Sequence, residues 1–248
     1  MANLNDPRAD QDSSTMNFQA SIIKVVVGTD KYTYRVHKSY LTKPGSFFET
    51  ALKKPWIKGH HRTIELPEDD PYDFHVYVQW LYTGKLFCKP LYEQEPETEE
   101  RNYGLLFDLY VLGQKLLDRE FQDRVVDATI AASHDTGYKE SSKRLFPSDG
   151  VVDSLYRRTS KGCPMRRLLI DLSICQGGEG WMVPAQNDPD GINVEFLIDL
   201  ATAFYKIQAD DTIMDKLEEL DEDPGCEYHH HGKDEECGSY GGKKIEAL

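Results

Sequence analysis

The chain has 248 residues, of which 39% are hydrophobic and 29% charged, with a formal net charge of −14 and 5 cysteines. That length can bury a substantial core in one or two domains, and the composition suits a soluble globular protein with polar tails. The excess of acid argues against sequence-independent nucleic-acid binding, which needs clustered lysine and arginine to neutralise phosphates.

The acidity is concentrated in two places. Residues 93–100 hold five acids and no base, and residues 215–237 hold ten acids against Lys216 and Lys233, which leaves the remainder close to neutral. Runs of this kind are usually solvated segments. No stretch approaches the roughly 18 uninterrupted apolar residues of a membrane span, so no membrane association is expected. Residues 1–17 are polar and expected to be disordered, without the basic and apolar regions of a secretory leader. An odd cysteine count without such a leader fits a reducing compartment, so the expected location is cytoplasmic and/or nuclear.

In chain order, Val25–Val27 form a β-branched run, Gly28–Lys31 interrupt it, and Tyr32, Tyr34 and Val36 then alternate with Thr33 and Arg35. The pattern predicts a β-hairpin with one buried face. Tyr40, Leu41, Phe47, Phe48, Ala51 and Leu52 follow at helical spacings, split by Pro44 and Gly45, with Ser46 placed to cap the second short helix. Thr63–Leu66 return to strand spacing. PEDDP at 67–71 opens a helix: Asp69 or Asp70 can cap it and Pro71 suits its first turn. Phe74, Tyr77, Val78 and Leu81 share one face of that helix, and Gly84 stops it. Lys85–Phe87 read as a brief edge strand.

Tyr34, Val36, His37, Lys38 and Leu41, then Ser46, Phe47 and Phe48, then Ile64, Leu66–Asp70 and Leu81–Gly84 form three ordered blocks. They resemble the signature of a BTB/POZ domain. The resemblance implies an α/β (α+β) fold in which a helical cluster lies beside a small sheet. It implies a protein–protein interaction module and not an enzyme. Such modules form homodimers or dock partners, including cullin scaffolds of ubiquitin ligases. At the position where cullin-binding members carry a hydrophobic-x-acidic motif, this chain has Trp56, Ile57 and Lys58, so a lysine replaces the acid. Nothing before Phe18 resembles the amino-terminal strand and helix that many family dimers exchange.

Leu106, Leu109, Tyr110, Gly113, Leu116 and Leu117 predict a further helix, and Asp118 can begin another that carries Phe121, Val125, Val126, Thr129 and Ile130. The domain is expected over 18–134, a helical extension over 135–214 and an acidic, disordered tail over 215–248. In the extension, Asp149 can cap Val151–Tyr156, and Leu168–Leu172 follow a Gly162-Cys163-Pro164 turn. Asn193 can cap the helix through Val194, Ile198 and Phe204. This order is similar to the extension of small fungal BTB proteins. Arg157, Arg158, Lys161, Arg166 and Arg167 fit either a docking patch or solvent-facing charges on two helices.

The remaining constellation is Cys226, His229, His231 and Cys237, with His230 as an alternative ligand. Two thiolates and two imidazoles suit tetrahedral zinc, while an acidic tail with incidental histidines has the same sequence. No cofactor is expected beyond that structural zinc. The expected function is a non-catalytic scaffold or adaptor that associates homotypically or heterotypically. The alternative is a substrate adaptor of a cullin-type ubiquitin ligase.

Overall fold

The computed structural model describes residues 19–53, 63–89, 97–134, 147–178, 191–210, 212–222 and 225–231, with the side chains of its longest helix described from Tyr103 onward. The fold is mixed α/β, and its described residues form a three-stranded sheet and nine helices. The chain divides into two compact units between Glu68 and Asp69, within the span expected as one domain.

In the first unit, β1 (Ile22–Val27) pairs antiparallel with β2 (Tyr32–His37) and parallel with β3 (Thr63–Leu66). The order is β2-β1-β3, with Val25 opposite both Tyr34 and Ile64. Alternation decides the buried face: Ile23, Val25 and Val27 are fully buried, and Val36, Ile64 and Leu66 join them. Gly28 turns the hairpin at φ 75°, a left-handed conformation that a side chain disfavours. The parallel return to β3 passes through α1 (Lys38–Leu41) and α2 (Phe47–Lys53). Ser46 caps α2 by accepting from Glu49 N at 3.2 Å, and Glu49 Oε2 accepts from Gly45 N at 2.8 Å.

The second unit is helical: α3 (Pro71–Thr83), α4 (Glu97–Leu116), α5 (Arg119–His134), α6 (Asp149–Arg158), α7 (Pro164–Gln176), α8 (Val194–Ala209) and α9 (Thr212–Glu222). Asp70 caps α3, accepting from Tyr72 N at 2.7 Å and Asp73 N at 3.4 Å, and Gly84 closes it at φ 66°. Phe74, Tyr77 and Trp80 carry the buried face of α3. Tyr77 meets Phe121 of α5 edge-on at 4.9 Å, and its hydroxyl donates to Asp118 at 3.0 Å. Asp118 also caps α5 by accepting from Phe121 N at 3.1 Å.

Gly113 lets α4 approach the start of α5. A Cβ there would stand 2.8 Å from Gln122 and 2.9 Å from Phe121. Helix α4 also packs on α3 and α6; α7 packs on α5, α8 and α9; and α8 touches α6 and α9.

Three local expectations change. Lys85–Phe87 are irregular, because they find no ladder partner among the described residues. Ser148, not Asp149, stands at the N-cap of α6, and Asp149 occupies its first turn. Residues 215–222, expected in the disordered tail, are the larger part of α9, where Leu217 is buried despite the surrounding acids. No helix among the described residues is long and apolar enough to cross a membrane.

Candidate metal centre

After α9, a turn at residues 225–231 lies against the helical unit. Gly225 starts it at φ 51°, and His229 N donates to Cys226 O at 3.1 Å. The turn is polar in sequence yet buries Tyr228 to 3% and His229 to 9% of their surface. Such burial is tolerated only where polar groups find partners.

Three helices supply those partners. From α7, Asp171 accepts from the Tyr228 hydroxyl at 2.9 Å, and Arg167 donates to Glu227 O at 3.2 Å. From α5, Asp123 accepts from His230 N at 3.0 Å and lies 2.6 Å from His230 Nδ1, while Asp127 lies 2.8 Å from His229 Nε2. From α4, the Tyr110 ring stacks on His230, with its hydroxyl 3.4 Å from Nε2.

Burial dominates the electrostatics around this turn. It raises the Tyr228 and Tyr110 hydroxyls well above the ordinary tyrosine range, aided respectively by Asp171 and by Cys163. Asp171 is also raised, chiefly by burial, with its Tyr228 bond opposing the shift. The Cys175 thiol is pushed up to about 11 by burial and by Asp221 and Asp171, which keeps it protonated and a poor nucleophile at neutral pH. The cavity beside it, lined by Ile130, His134, Leu172 and Leu217 among others, holds about 10 Å³, room for no more than one water.

The turn gathers Cys226, His229 and His231, whose ligand atoms all lie within 4.8 Å of one another. Cys226 is exposed, His229 buried and His231 half-buried, and the two imidazoles meet edge-on at 5.4 Å. His230 points elsewhere, with both ring nitrogens against Asp123 and Tyr110. Of the four expected ligands, three therefore come together. Cys237 lies outside the described residues, as do Trp56, Ile57 and Lys58.

Arg157, Arg158, Lys161, Arg166 and Arg167 are each matched by an acid. Arg157 pairs with Asp153 at 2.6 Å, Arg158 with Asp108, Lys161 with Asp199 at 4.0 Å, Arg166 with Glu195 at 2.9 Å and Arg167 with Glu227 at 3.8 Å. Arg166 is the least expected of them. It is 3% exposed, lies 4.2 Å over the Tyr156 ring and donates to the Tyr156 and Thr159 carbonyls. This excludes Arg166 from a solvent-facing patch and makes it the link between α6, α7 and α8.

Sequence reasoning missed Asp123, Asp127 and Tyr110. The one local signal was that Asp123 and Asp127 stand four residues apart on α5 beside its apolar face, so one side of that helix offers two carboxylates. No family model matches the chain, and a search among curated proteins finds no match.

Proposed function

We propose that the chain is a non-catalytic protein–protein interaction module of the BTB/POZ type with a helical extension, and that it associates with a second copy of itself through helix α8. Two features support the reading. The first is the element order of a hairpin, two short helices, a third strand parallel to the first, and a capped helix.

The second feature, which carries the proposal, is the apolar surface of α8. Val194 is 66% exposed, Ile198 54% and Tyr205 73%; with the exposed Ala201 they recur at i, i+4, i+7 and i+11, one stripe along the helix. Contiguous apolar surface of this kind marks an interface more often than a solvated face, since covering each large side chain recovers about 1.5–3 kcal/mol. Glu195, whose side chain stays 68% exposed beside Arg166, stands near the start of the helix and Lys206 near its end. Two copies packed antiparallel about a twofold axis bring unlike charges together at both ends of the stripe.

Size-exclusion chromatography with light scattering over a concentration series tests this. The mass should rise from 28.4 kDa toward twice that value, and Ile198→Glu with Tyr205→Glu should hold the chain at one copy with the melting curve of the dilute, single-copy parent. A single copy at every concentration, or a dimer indifferent to both substitutions, would contradict it. The alternative, a cullin-type ubiquitin-ligase adaptor, needs cullin binding at Trp56 and Ile57 despite Lys58. A pull-down with a cullin amino-terminal region separates it from the homotypic reading.

A further inference from the structure

We propose that Cys226, His229 and His231 bind one zinc ion, which closes the turn at 225–231, while Asp127 of helix α5 supports the His229 ligand. The chemistry of the donors comes first. One thiolate and two imidazoles form a borderline-soft set, which favours zinc over the oxygen-seeking magnesium and calcium. Around a tetrahedral zinc, ligand atoms at about 2.0–2.3 Å from the metal stand roughly 3.3–3.8 Å apart. All three donor atoms are already within 4.8 Å of one another, and they belong to one short turn, so small side-chain rotations close the set.

The independent observation is the carboxylate behind His229. Metal-bound histidines commonly donate their second ring N–H to a carboxylate, which fixes the tautomer and raises the basicity of the ligating nitrogen. Asp127 Oδ1 stands 2.8 Å from His229 Nε2, with the imidazole 5% exposed. With Nε2 on the carboxylate, Nδ1 is the nitrogen to offer a cation. His230 shows what the cluster leaves out: Asp123 and Tyr110 engage both of its nitrogens.

The same contacts hold the backbone in place before metal arrives. Tyr228, Glu227 and His230 are tied to α7 and α5, so part of the ordering cost of ligation is met by the fold. A zinc bound here has a structural role: its three donors close the last described turn, and the carboxylate behind His229 joins that turn to α5.

The test is the metal content of the full chain, reconstituted with zinc and dialysed. About one zinc per chain is expected. Cys226→Ser and His231→Ala should each lose nearly all of it. Asp127→Asn should keep the stoichiometry and weaken binding about 10- to 100-fold in chelator competition, while His230→Ala keeps its zinc. Cobalt in place of zinc should give a thiolate-to-cobalt charge-transfer band that Cys226→Ser abolishes. A chain that takes up no zinc, or a Cys226→Ser variant with undiminished zinc, would overturn the proposal. If the variants do not fold, the cobalt spectrum of the unaltered chain still decides, because no thiolate band means no site.

Discussion

Helix α8 carries Val194, Ile198, Phe204 and Tyr205 and leaves each of them more than half exposed, whereas the turn around Glu227-Tyr228-His229-His230 is largely enclosed. Ranked by hydropathy, the two segments would trade places. Burial here follows the availability of partners. The turn faces α5 and α7, which present Asp123, Asp127, Arg167 and Asp171 where its donors and acceptors need them. In α8, Phe196 is the residue driven deepest, at 4% exposed and edge-on to Tyr156, and the rest of its apolar surface has no comparable seat among the described residues. On the two proposals above, the buried polar turn takes a cation and the exposed apolar helix takes a protein.

One substitution applied to both regions gives the sharpest contrast. Tyr228→Ala removes a buried ring and leaves Asp171 without its hydroxyl donor, and we expect a loss of about 3–4 kcal/mol in denaturant unfolding. Replacing Asp123 by Ala strands His230 N and Nδ1 in a partly buried site, an expected loss of about 2 kcal/mol by the same measurement.

Asp73 tests what happens to an acid with no such partner among the described residues. Its carboxyl is raised to about 7, first by burial, then by Asp108 and Asp70, against the weaker pull of Arg158. The folded state therefore holds a proton that the unfolded state, with an ordinary value of about 3.9, has released. The associated stability is complete below about pH 4 and is lost as the pH rises to about 7. Asp73→Asn should flatten that slope and, at pH 8, exceed the parent by about 2 kcal/mol. Parallel pH profiles of the two proteins would refute the assignment. At the other end of the scale, Tyr205→Ala on α8 should change the stability of the single chain by no more than about 0.5 kcal/mol.

What was legible in the sequence was local. Asp70 with Pro71, Gly84 and Asn193 mark helix ends because a cap bonds within its own turn: Asn193 accepts from Phe196 N at 3.2 Å, three residues away. Strand Thr63–Leu66 was readable from its spacing. The metal candidates were legible as residue types at usable intervals, but the choice between His230 and His231 was not. It depends on Tyr110 and Asp123, more than a hundred residues earlier in the chain. Helix α9 was hidden for a related reason. Its acids dominate the composition of the segment, while burial depends on Leu217 at the contact with α7. Nor does sequence periodicity reveal that the apolar stripe of α8 is exposed, because a core-facing helix has the same pattern.

Amide hydrogen exchange at low and high protein concentration measures the difference between these two regions in a single experiment. The proposed function predicts that exchange across Val194–Ala209 slows as concentration rises, while the turn at 225–231 is unaffected. Exchange in α8 that is indifferent to concentration would contradict the claim that this helix is the interface.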